Sequence, residues 1–172
     1  MDKNPSYKYN VGPQHPVDRV NLDNLQKFLN VLNRETGYEF RLPTEAEWEF
    51  ACRGGNRSKG YKFSGGNRMR EVGWYCDNTG ETSHPVKQLK PNELGIYDMS
   101  GNVWEWCSDC FAPYPLEAQT DPVGPSEGRR IMRGGCWYTY STFCRTTNRS
   151  KSTRQDYNLF TGFRLAISSP IK

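Results

Sequence analysis

The sequence predicts an α+β domain: two helices near the N-terminus, then a loop-rich β portion. Three observations carry this expectation. Apolar residues recur at helical spacing only in the first third of the chain. After residue 55 the apolar runs shorten, and Gly, Asn, Asp, Ser and Pro recur every few residues. The chain also carries 16 glycines and 11 prolines in 172 residues, which favours many turns and short elements.

The elements follow in order. Residues 1–19 are polar, contain Pro5, Pro13 and Pro16, and read as an irregular lead-in. In "VNLDNLQKFLNVLNRETG", Val20, Leu22, Leu25, Phe28, Leu29 and Leu32 fall on one helical face. Asn21 or Asp23 caps its start and Gly37 its end. "YEFRL" reads as a short strand. In "RLPTEAEWEFACRGG", Thr44 and Glu47 make a capping box, each side chain satisfying the other's free backbone N–H. Ala46, Phe50 and Ala51, near Trp48, supply its apolar contacts, and Gly54-Gly55 ends it. The short runs "VGWYC", "GIYDM", "NVWEW", "RIMRGGCW" and "GFRLA" read as short strands or buried loop anchors. Residues 1–172 are expected to form a single domain, and a chain of this length buries about 70% of its unfolded surface.

Composition narrows the function classes. Only 35% of residues are hydrophobic while 13% are aromatic, so the core relies on Trp and Tyr, whose polar atoms need partners. The net charge is a mild +4. Basic residues cluster at 53–70 and 129–154, but no nucleic-acid-binding module accompanies them, and they read as solvated loops. Cys107 and Cys110 form a C-x-x-C, the pattern of a redox pair or half a zinc site. With no second such motif and only His15 and His84 in the chain, buried thiols are the simpler reading. The charged start "MDKNPSYKYN" is not a signal peptide, and no run approaches the roughly 20 apolar residues of a membrane span. A cytoplasmic or phage-associated protein is therefore expected.

Three segments in this order, "YEFRLPTEAEWEFACRGG", "PNELGIYDMSGNVWEWCSD" and "RIMRGGCW…GFRLA", resemble the formylglycine-generating enzyme (sulfatase-modifying factor) family. The resemblance runs from Val11 to Ala166 and implies a C-type-lectin-like fold. It also implies a minimal version that lacks the family's usual portion before the first helix. Its founding members oxidise a cysteine to formylglycine with copper held by two cysteine thiolates. Some relatives bind non-haem iron, and others are binding proteins diversified by retroelements. The resemblance places the second copper-binding cysteine at Cys144 and the first at Thr139, and sets Cys136 where a catalytic serine stands. One thiolate is thus missing, and a threonine hydroxyl is no substitute donor for Cu(I). An oxidase with an altered site at Cys136 and Cys144 remains the alternative. Two histidines cannot build a three-histidine iron site. Cys52 matches a position that is disulfide-paired in secreted members, but its counterpart here is Leu165, which suits a reducing compartment.

The tract 138–161 instead resembles an antibody loop in composition. Leu159 is its only aliphatic residue, and Tyr138, Tyr140, Phe143, Tyr157 and Phe160 sit among Ser, Thr, Asn and Arg. Arg145, Arg149 and Arg154 add fork-shaped donors. In retroelement-diversified relatives a variable tract lies between the same flanks, here about 133–164. The leading expectation is a non-catalytic binding protein. Tyr138, Tyr140, Thr142 and Ser150 are candidate contacts, as are Ser152, Tyr157, Leu159 and Phe160. Large aromatics favour a protein ligand over a carbohydrate. Finally, "YDMSGNVWEW" resembles the family's structural calcium loop, with Asp98 and Glu105 as carboxylate ligands and Gly101 and Val103 as carbonyl ligands. The other reading is that Asp98 and Glu105 hydrogen-bond to fix a tight loop. Trp104 and Trp106 are expected to anchor it.

Overall fold

The computed structural model describes residues 4–6 and 12–170. The parts of the polar lead-in at 1–3 and 7–11, and the residues 171–172, lie outside the described residues. Helix α1 spans Leu22–Thr36. The Asn21 side chain accepts from the Asn24 N–H, and Gly37 closes the helix at φ 69°, a left-handed turn that glycine adopts without strain. Leu22, Leu25 and Leu29 form its buried face. Strand β1, Tyr38–Arg41, follows and pairs antiparallel with the last strand, β6, at Ala166–Pro170.

Helix α2, Glu45–Cys52, has the full capping box between Thr44 and Glu47. Its buried face differs from the expected one. Glu45, Trp48 and Cys52 point inward, while Phe50 is 55% exposed. Spacings of three and four place 45, 48 and 52 on one face, and Phe50, two residues past Trp48, turns away from it. Glu45 tolerates burial because the Arg149 guanidinium grips both its oxygens at 2.7 Å.

"VGWYC" and "GIYDM" form no strands. They are the buried loop anchors of the alternative reading: Val72, Tyr75 and Met99 lie in the core, and Val72 ends a short helix α3, Met69–Val72. Asn92 explains the second: its side-chain oxygen accepts from the Leu94 and Ile96 N–H groups, so this backbone is satisfied locally and not by a neighbouring strand.

A four-stranded sheet is built from β2 (Trp104–Cys110), β3 (Arg130–Arg133), β4 (Arg149–Ser152) and β5 (Thr161–Phe163), in the order β4-β3-β2-β5. β2 pairs antiparallel with β3 and parallel with β5. α1 packs on this sheet through Leu22, Leu25 and Leu29 against Trp104, Trp106, Met132 and Cys136. Trp48, Cys52, Met99, Cys107 and Ile131 form a second cluster under α2. The third joins Phe63, Met69, Val72 and Tyr75 to Cys144. The two most deeply buried indoles find partners: Trp106 Nε1 donates to the Val20 carbonyl and Trp48 Nε1 to Glu105. All six cysteines are free. Cys107 packs with Trp48 and Ile131, whereas the Cys110 thiol faces the Gly128 carbonyl, so the C-x-x-C consists of two separately packed thiols. No helix among the described residues is long and apolar enough to cross a membrane.

Candidate functional site

The segment 133–164 has a rigid frame and an exposed middle. At its start Arg133 is fully buried, lies over the Trp48 ring, pairs with Glu49 and donates to the carbonyls of Thr146 and Asn148. Gly134 and Gly135 then turn the chain at φ 96° and 78°. The Gly134 carbonyl accepts from Gly101 N–H, and Trp137 N–H donates to the Asn102 carbonyl. At the far end Thr161 and Gly162 are buried in β5, where Gly162 pairs with Glu105.

Between these ends the chain surfaces. Tyr138 is 63% exposed and Tyr140 70%, on either side of Thr139. A 3₁₀ turn over Ser141–Cys144 then exposes Thr142 and Phe143 while burying Cys144. Phe143 was not among the candidate contacts, although its place in the aromatic tract was the available signal. Ser150 and Ser152 lie half-buried on β4, an edge strand of the sheet, and Ser152 donates to Asp156. Tyr157 is exposed, with the Arg19 guanidinium 5.5 Å above its ring. Leu159 and Phe160 are half-buried. The Leu159 carbonyl accepts from Trp137 Nε1, and Phe160 packs on the α1 core and stacks with Tyr138 at 5.4 Å. The candidate residues thus divide into a freely presented group (Tyr138, Tyr140, Thr142, Tyr157) and a supporting group (Ser150, Ser152, Leu159, Phe160).

Behind this surface lie the thiols. Cys136 and Cys144 are 1% and 0% exposed. Thr139 Oγ1 sits 3.8 Å from Cys144 Sγ and is already engaged, donating to the Cys136 carbonyl at 2.9 Å and accepting from the Cys136 N–H at 3.0 Å. Burial pushes the Cys144 thiol up to about 12 and the Cys136 thiol to about 11. Both stay protonated at neutral pH in the metal-free protein, and protonated thiols are poor nucleophiles. The Thr139 hydroxyl, engaged by the Cys136 backbone, stands where the resemblance places the first thiolate.

The loop that resembles a calcium site is also occupied from within. Glu105 accepts from Trp48 Nε1 at 2.7 Å and from Arg164 at 2.8 and 2.9 Å. Asp98 accepts from the Lys87 N–H at 2.8 Å, and burial raises its carboxyl above the usual range. No group of three or more His, Cys, Asp or Glu side chains among the described residues is arranged to hold an ion. The Arg164 guanidinium neutralises Glu105, and both carboxylates take part in the hydrogen bonding that shapes this loop.

Fold and site together define a compact α+β scaffold that buries its thiols and presents an aromatic, polar loop surface. The sequence matches the sulfatase-modifying factor enzyme 1-like domain over residues 1–169, and the chain belongs to that family. It is 37% identical over 174 aligned residues to the formylglycine-generating enzyme of Streptomyces coelicolor, covering 90% of this chain and 53% of that protein. The chain spans about half the length of the curated relatives it matches. Its fold is similar to that of Treponema denticola variable protein 1, with a TM-score of 0.87 and 30% identity over 96% of this chain and 77% of that one. It is also similar to PvdO from Pseudomonas aeruginosa, with a TM-score of 0.77 and 26% identity over 95% of this chain and 66% of that one.

Proposed function

We propose that this chain is a non-catalytic ligand-binding protein whose recognition surface is the tract between the buried flanks of segment 133–164. The surface is of the kind that a diversity-generating retroelement varies, and its ligand is a protein. One observation carries the reading. Tyr138, Tyr140, Phe143 and Tyr157 are exposed on a frame whose ends are buried, so side chains there can change without disturbing the core. Exposed aromatics among small polar residues give large, rigid contact area with adaptable hydrogen bonding. The likeness to a variable protein supports the same reading.

The likeness to formylglycine-generating enzymes favours a second reading, a copper-dependent oxidase working through Cys136 and Cys144. A Cu(I) titration with a Cys144→Ser control separates the two. The binding reading expects no thiolate-dependent copper uptake and no oxidation of a cysteine-containing peptide. Tight uptake that Cys144→Ser abolishes, together with peptide oxidation, would falsify it. For diversification, the DNA beside the gene should hold a reverse transcriptase and a near-copy of the stretch encoding 133–164 that differs at adenines. A locus without both removes that part of the proposal.

A further inference from the structure

A cleft of about 860 Å³ lies between α1, the start of α2 and the strands β2 and β3. Of segment 133–164 only Arg154 lines it, so none of the exposed aromatics of the surface described above takes part. Its accessible apolar wall is made by Phe40, Ala46, Phe50 and Val123, with the buried leucines of α1 behind it. Pockets of this size and character, roughly 300–1,000 Å³ and mostly apolar with a few placed polar groups, are the usual hosts of small molecules.

Three guanidinium groups reach the cleft, and two are neutralised. Arg41 makes two bonds of 2.6 Å to Glu47, and Arg154 pairs with Asp23. Arg130 differs. Its donors go to the carbonyl oxygens of Ser108 and Ser126, and among the described residues it forms no ion pair. A carbonyl dipole orients a guanidinium without cancelling its charge. Asp121 also lines the cleft but makes no ion pair with Arg130.

We infer that this cleft binds a free medium-chain aliphatic carboxylate, its tail along the apolar wall and its head on Arg130. Arg130 keeps N–H donors beyond the two that its carbonyl contacts use, and an apolar wall suits an unbranched tail. An anionic lipid surface fits less well. A plane of headgroups would press on Glu47 and Asp121 as well as on Arg130, whereas a single small anion meets only the guanidinium.

The test is calorimetric titration of the full chain with decanoate, decanol and decyltrimethylammonium below their micelle concentrations. Decanoate should bind saturably at one site, decanol more weakly and the cation least. Arg130→Gln should weaken decanoate about tenfold or more, as expected for a hydrogen bond to a charged group, and leave decanol unchanged. Gln26→Trp, placed on the exposed side of α1 at the cleft, should block both, with circular dichroism melting showing the fold intact. Tyr138→Ala with Tyr140→Ala should leave decanoate binding as it was, which separates this site from the variable surface. Absence of saturable decanoate binding, equal affinity in Arg130→Gln, or capture by phosphatidylglycerol vesicles without binding of free decanoate would each overturn the inference.

Discussion

Glu105 and Arg164 form a two-pronged ion pair at 2.8 and 2.9 Å, and the Trp48 indole closes it with a third hydrogen bond at 2.7 Å. The three residues come from β2, the turn after β5 and helix α2. Arg164 also donates to the Tyr97 carbonyl, which fixes the loop entering β2. One buried carboxylate therefore ties together all three segments that carry the family resemblance. In the loop that resembles a calcium site, a protein cation therefore sits on one of the two carboxylates.

Arg164→Ala should leave Glu105, whose side chain is 6% exposed, charged and unpaired. Breaking a buried pair from one side costs about 3–5 kcal/mol, and the partial exposure of Arg164 puts the loss near the lower end. Arg164→Lys should recover little, because an ammonium cannot bridge both oxygens. Urea denaturation of the three proteins measures this. The wild-type midpoint should not move with added calcium or EDTA. A clear rise with calcium would restore the ion-binding reading of the loop.

Stability should fall in alkali. Burial pushes Cys52 and Cys144 up to about 12, Cys136 to about 11, and Cys107 well above its ordinary value. In the unfolded chain these thiols ionise near pH 8.5. Raised native values mean that the folded state holds more protons above that pH. The contribution is intact below about pH 8.5 and is lost as pH rises toward 11–12, by up to about 1.4 kcal/mol per pH unit for each thiol. Urea midpoints at about pH 7.5 and about pH 10 should differ accordingly, and less so in Cys52→Ala. In the native protein at about pH 8, iodoacetamide should reach the partly exposed Cys76 before the five buried thiols. Rapid labelling of Cys144 would contradict the packing described.

Local rules were legible in the sequence, and pairing between distant segments was not. Asn21, Gly37 and the Thr44–Glu47 box mark helix ends because capping depends on residues three or four apart. The exposed aromatics of 138–157 were legible because little aliphatic material was present to bury them. Strand β4 was invisible: "RSKS" has no strand character alone and is extended only because Arg149 to Ser152 pair with Arg133 to Arg130. Burial of Glu45 depends on Arg149, 104 residues away. Inward-facing Phe50 was a misreading of the same kind, since an eight-residue helix shows too few turns for its apolar face to be read without knowing what it meets.

Gly101→Ala should be poorly tolerated. The residue sits at φ 86°, and a Cβ there would fall 2.1 Å from the Trp74 carbonyl oxygen, which is backbone and cannot rotate away. That same oxygen accepts from the Asn102 N–H, so moving it breaks a buried bond. A loss of more than about 2 kcal/mol is expected from strain and clash together. Thermal melting against wild type gives the answer, and a change within 0.5 kcal/mol, roughly the range of neutral surface substitutions, would show that the loop relaxes freely.

The division of the tract makes the sharpest prediction. Tyr138 and Tyr140 are exposed, so Tyr140→Ala should change stability by no more than about 0.5 kcal/mol. Tyr138→Ala should cost slightly more, because it gives up an aromatic stack with Phe160 worth about 0.5–1.5 kcal/mol. Phe160→Ala should cost about 3 kcal/mol, since its ring packs on the α1 core and lies 5.1 Å from Trp137. Denaturation of the three variants ranks them. If binding runs through the exposed group, a selected protein ligand should lose affinity with Tyr140→Ala while the melting curve stays put, a combination that scaffold damage cannot produce. The opposite ranking, with Tyr140 structural and Phe160 dispensable, would mean that the presented surface lies elsewhere in the fold.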